Sequence, residues 1–98
     1  MTPRLFVRDD AAADIQAAAA WYDDQRRGLG TEYARAIRAQ LAAVEREPRL
    51  FRVVHRDVRR ALVRRFPYAI YFVIESERIV VFACLHIRRD PTIWRARL

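Results

Sequence analysis

Within the segment Cys84–Trp94, CLHIRRDPTIW, stand a histidine, two adjacent arginines and a tryptophan beyond a proline. Such residues suit phosphodiester cleavage. That reaction needs a base for the attacking 2′-hydroxyl, cations for the pentacoordinate transition state and an acid for the leaving oxygen. A free imidazole titrates near neutrality, so a histidine in this place, His86, is of a type that can serve as base or acid. Arg60, Arg64, Arg88 and Arg89 can supply cations, and Trp94 can stack on a base. The plainer reading makes His86 a satisfied histidine near a sheet edge and Trp94 an anchor for the C-terminal tail, with the arginines a basic docking surface. An acid–base pair is hard to complete, because the only other histidine, His55, lies on a different stretch of chain. No metal or cofactor is expected: two isolated histidines, one cysteine and scattered acids lack ligand spacing. Cys84 alternates into an apolar run and reads as packing rather than as a nucleophile. There is no glycine-rich phosphate loop, since the two glycines, Gly28 and Gly30, sit together where a turn is needed.

The elements that must position these residues follow from the periodicity. Arg4–Arg8 reads as a short strand, with Asp9 or Asp10 placed to cap a helix. Ala11, Ile15, Ala18 and Tyr22 then recur at helical spacing. Gly28-Leu29-Gly30 suits a tight helix-to-helix turn, and Thr31 can cap the second helix. There Tyr33, Ile37, Leu41 and Val44 share a face until Pro48 ends the run. Trp21, Tyr22 and Tyr33 read as core and inter-helix packing.

After Pro48 the period becomes two. Runs 51–55, 58–65, 68–75 and 78–87 are rich in Val, Ile, Phe and Tyr. Their connections are too short for parallel crossovers, so neighbouring strands must be antiparallel. Alternation sets Arg60, Leu62 and Arg64 on one face and Arg59, Ala61, Val63 and Arg65 on the other. It likewise groups Phe82, Cys84, His86 and Arg88. The expected class is α+β: an N-terminal strand, an α-helical hairpin, then an antiparallel β-sheet meander, all in one domain over residues 1–98.

The charge has a direction. All 19 basic residues are arginine. Residues 1–47 hold seven arginines and eight acids, net −1, whereas residues 48–98 hold twelve and four, net +8. That asymmetry points to an anionic partner, either nucleic acid or an acidic protein segment, against the plainer reading of a solvated basic face. A hydrophobic content of 53% excludes a disordered tail. One cysteine precludes an internal disulfide, and no run of about 20 apolar residues offers a membrane span. A soluble cytoplasmic protein is expected.

The order strand, helical hairpin, antiparallel sheet resembles the RelE/ParE superfamily of toxins from bacterial type II toxin–antitoxin systems. The stretches that carry the likeness are ADIQAAAAWYDDQRRGLGTEYARAI (13–37), RRALVRRFPYAIYFVI (59–74) and VVFACLHIRRDP (80–91). RelE-like members cut mRNA on the ribosome; ParE-like members poison DNA gyrase. Under the first reading the resemblance implies a catalytic set of Arg60, Arg64, His86 and Arg89. The long hairpin and the RFPY and HIRRDP segments resemble the ParE-like side more closely. The absence of lysine, and Trp94 where a tyrosine would be wanted, also count against the nuclease. The ParE-like reading implies no catalytic residue. It implies target contacts at Arg88, Arg89, Trp94 and Arg95, and a basic sheet surface at Arg59, Arg60, Arg64 and Arg65 for antitoxin or nucleic acid. Its implied partners are DNA gyrase and a cognate antitoxin with which the toxin forms a hetero-oligomer.

Overall fold

The computed structural model describes residues 3–98. Strand β1 (Arg4–Val7) leads into a hairpin of α1 (Asp9–Gln25) and α2 (Leu29–Arg46). A single 3-10 turn at Pro48–Leu50 follows, and then β2 (Arg52–His55), β3 (Val58–Leu62), β4 (Tyr68–Glu75), β5 (Arg78–His86) and a short α3 (Pro91–Arg95). The five strands form one sheet in the order β1-β5-β4-β3-β2. The meander from β2 to β5 is antiparallel, whereas β1 lies parallel to β5, with Leu5 opposite Ile79. The fold is the expected α+β arrangement, with a mixed rather than purely antiparallel sheet.

Both helices pack on one face of the sheet. Ala11, Ala18, Tyr33, Ile37 and Val44 meet Ala61, Ile70, Phe72, Ile79 and Cys84 there. Gly30 explains how closely the helices approach: a Cβ at that position would run into the carbonyl oxygen of Ala19 and the side chain of Asp23. Gly28 supplies the left-handed turn at φ 89°. The caps differ from expectation. Helix α1 starts at Asp9 with Arg8 at the N-cap, and α2 starts at Leu29, so Thr31 lies inside it. The orphan amides of α2 are met instead from the preceding helix, where Asp23 Oδ1 accepts from the N–H of Gly28 at 3.1 Å and of Gly30 at 2.9 Å.

Three further expectations need correction. Tyr22 and Tyr33 join an aromatic cluster with Phe66 and Tyr68, but Trp21 stays 55% exposed. Strand β3 ends at Leu62, because Arg65 adopts φ 72° in the turn before β4. Arg64 and Arg65 therefore leave the sheet. Finally, a β-bulge places Tyr71 opposite Ala83 but Phe72 opposite Val81. Phe82 is thereby thrown to the helix-free side with Ala83 and Leu85, away from the face of Cys84.

Candidate functional site

The helix-free face of the sheet would be bare without α3. Asp90 caps this helix, accepting from Thr92 N–H at 2.9 Å, which holds its carboxyl below the usual range. Pro91 occupies the first helical position, where a missing N–H costs nothing. Trp94 folds back over the sheet and is only 4% exposed. It stacks on Tyr71 with ring centroids 4.7 Å apart and meets His55 edge-on at 5.8 Å. The corner between β5 and α3 is pinned by backbone. Ile87 N–H donates to Pro67 O and Arg89 N–H to His86 O, each at 2.9 Å. Arg88 N–H donates to His86 Nδ1 at 3.0 Å. That bond makes Nδ1 the acceptor, so the neutral ring carries its proton on Nε2.

The end of the chain is tied down by an ion pair. Strand β1 leaves the sheet at Val7, and the β5 edge beyond it would expose unpaired backbone groups. Side chains take over: Asp14 Oδ2 accepts from Cys84 N–H at 3.0 Å, and Arg97 Nη1 donates to Phe82 O at 3.1 Å. The two side chains also join each other in a bidentate pair at 2.6 and 3.0 Å. Its partner carboxylate raises the Arg97 pKa further still. Arg8 donates to the Arg97 carbonyl at 3.1 Å, so β1, α1, β5 and the C-terminus meet at one point.

These elements leave three exposed guanidinium groups at the corner, those of Arg88, Arg89 and Arg95. None lies within salt-bridge distance of an acid among the described residues. The family model described as ParE toxin of the type II toxin–antitoxin system, parDE, matches residues 5–91. The chain belongs to the ParE toxin family. A solved structure described as the chromosomal ParDE TA system from P. aeruginosa superposes with a TM-score of 0.79, covering 87% of this chain and 96% of that one. At 17% identity that likeness shows the fold. No curated protein matches the chain. Family membership makes the chain the toxin half of a two-component system, with an antitoxin as partner.

In this ParE-family chain the residues singled out from the sequence are scattered. Arg60 stands opposite Tyr71 and Arg52, on the helix-free side. His86 stands opposite Tyr68, on the helix side. Arg64 lies in the turn beside Glu32 and Arg35 of α2. Of the set Arg60, Arg64, His86 and Arg89, only His86 and Arg89 are brought to one cleft. On the basic surface, Arg59 spends its guanidinium on the carbonyls of Arg49 and Phe51, and Arg65 pairs with Glu32 at 3.0 Å. Trp94, expected among the target contacts, is buried instead, because its indole covers Tyr71 and closes the second core. Sequence reasoning missed Asp14 and Arg97, which lie 83 positions apart. The one signal in the sequence was an aspartate following three alanines, in the alanine-rich middle of a helix.

Proposed function

We propose that this chain is one toxin domain spanning residues 1–98, that it arrests growth in the bacterial cytoplasm by poisoning DNA gyrase, and that a cognate antitoxin neutralises it. The family match supports the toxin part of this reading. The observation that carries the gyrase part is the β5–α3 corner. A rigid turn, a capped helix and a buried tryptophan present Arg88, Arg89 and Arg95 outward, none of them in a salt bridge among the described residues. Cations held this way are suited to phosphates or acidic side chains of a large target, since little freedom is lost on docking. Placement also weighs against mRNA cleavage by the set named above: Arg60 is separated from His86 by the thickness of the sheet. Among the described residues no helix is long and apolar enough to cross a membrane.

The antitoxin contact would draw on the arginine-rich half, where an acidic segment that folds on binding finds its complement. The decisive experiment is a supercoiling assay with purified toxin and bacterial gyrase, scored for trapped cleaved DNA. Inhibition with accumulation of cleaved DNA is expected. It should be lost when Arg88, Arg89 and Arg95 are replaced together by alanine, with antitoxin binding retained. Undiminished inhibition by that variant removes the corner as the contact surface. Gyrase left fully active by the unaltered protein removes the reading itself. His86→Ala and Arg64→Ala should each leave growth arrest intact; its loss in both would restore the nuclease.

A further inference from the structure

Trp21 is the one aromatic side chain of the hairpin that the core does not absorb. Its indole stands edge-on to Tyr22, with centroids 5.1 Å apart, and remains largely in solvent. With Pro67, Tyr68 and His86 it walls a cavity of about 460 Å³. A second cavity of about 250 Å³ shares Trp21, Tyr68 and His86 and adds Asp14 and Arg89. The two together make an open cleft between α1 and the ends of β4 and β5. Its rings are mutually braced, Tyr68 meeting His86 at 5.4 Å and Tyr22 meeting Tyr68 at 6.0 Å. Asp14 brings no free negative charge, since Arg97 grips both of its oxygens. Arg89 has no acidic partner among the described residues and is the cation left at the cleft.

Planar aromatic walls beside an uncompensated guanidinium form the combination that holds a base by stacking and its phosphate by charge. An acidic peptide would satisfy Arg89 but would leave the indole without a planar partner. We propose that this cleft binds an unpaired nucleobase together with its phosphate, from a free nucleotide or from a single-stranded stretch of nucleic acid. Trp21 and His86 flank the base, His86 Nε2–H offers a donor to its edge, and Arg89 takes the phosphate. The inference does not rest on the gyrase reading, because it concerns the toxin alone.

A net charge of +7 will draw any polyanion, so the test must isolate the base. Affinity for a short labelled single-stranded oligodeoxynucleotide is measured by anisotropy, beside an abasic strand of equal length, with tryptophan emission followed in parallel. The base-bearing strand should bind about tenfold tighter, the margin that one base–aromatic stack supplies, and should quench Trp21 saturably. Trp21→Ala should remove that margin, whereas Arg89→Gln should weaken the binding of both strands, with circular dichroism unchanged in each variant. Competition by a deoxynucleoside monophosphate identifies a free nucleotide as sufficient; failure to compete, with the margin intact, identifies a strand. Equal affinity for the two strands, or a margin that survives Trp21→Ala, overturns the proposal. So does quenching by poly-glutamate without quenching by the oligonucleotide, which would assign the cleft to a protein partner.

Discussion

Gly28 and Gly30 are two residues apart and are needed for different reasons. At Gly28 the backbone is left-handed and nothing lies within 4 Å of the point where a Cβ would stand, so the demand is on conformation alone. Any side chain is strained at that φ, asparagine less than most, so Gly28→Asn should lower the urea midpoint and Gly28→Ala should lower it further. At Gly30 the demand is on space, because the Ala19 carbonyl stands where a methyl would go. Gly30→Ala should cost about 1–3 kcal/mol by forcing the helices apart, read as a lower midpoint at unchanged slope. Cys84 is a third residue governed by its surroundings. Burial pushes its thiol up to about 11, against a partial offset from the Tyr33 hydroxyl 3.6 Å away. The folded state therefore favours the neutral thiol. That contribution to stability is complete below the ordinary thiol pKa and is lost as pH rises from about 9 towards 11. At pH 8 the native protein should resist alkylation, and labelling should proceed only in urea; rapid native labelling would contradict this burial.

Helix α3 shows what an element of five residues can do when one of them is a tryptophan. Its hydrogen bonds alone would not hold it, as so short a helix is marginal in water. Trp94 supplies the missing stability by covering Tyr71, and Trp94→Ala should cost about 3–5 kcal/mol in chemical denaturation. His55 makes this contact sensitive to pH. Partial burial, then the nearby Arg95 and Arg56, hold its pKa below the ordinary value. Protonation thus favours the unfolded chain, so the His55 contribution is complete above about pH 6.5 and is lost as pH falls through the depressed value. In a Trp21→Phe background, Trp94 emission should shift to the red over that fall, and His55→Gln should abolish the shift. The sequence disclosed the large elements because their periodicity is written in neighbouring residues: Ile15 to Tyr22 in α1, Tyr33 to Val44 in α2, the apolar runs of β4 and β5. Contacts between distant positions left no such trace. The parallel seat of β1 on β5, the bulge at Phe82 and the Asp14–Arg97 pair all depend on where separate elements meet. The basic corner was legible as charge, but the role of Trp94 was not: burial is decided by Tyr71, far back along the chain and directly beneath it in space.

At the scale of the whole molecule the helices and the sheet are electrically unlike. Residues 1–47 are nearly neutral, while residues 48–98 carry a net +8. The acids of the hairpin are partly consumed within the fold: Asp14 holds Arg97, and Glu32 holds Arg26 and Arg65. The arginines of the sheet half are mostly left without such partners among the described residues, Arg52, Arg60, Arg64, Arg88, Arg89 and Arg95 included. A field of one sign over one side steers an oppositely charged partner before any contact forms. For an acidic antitoxin segment, the association rate constant should fall by about tenfold or more between about 0.05 M and about 0.5 M salt, as the Debye length shrinks. Dissociation should change less, because it reflects close contacts that salt screens poorly. Stopped-flow mixing of toxin with its antitoxin across that range separates the two. Charge reversal at Arg52 and Arg60, which lie opposite one another on β2 and β3, should reduce both the association rate and its dependence on salt. An association rate indifferent to salt would mean that the antitoxin is drawn by apolar surface, and Leu50, Val53 and Leu62, exposed along the β2–β3 edge, would be where to look for it.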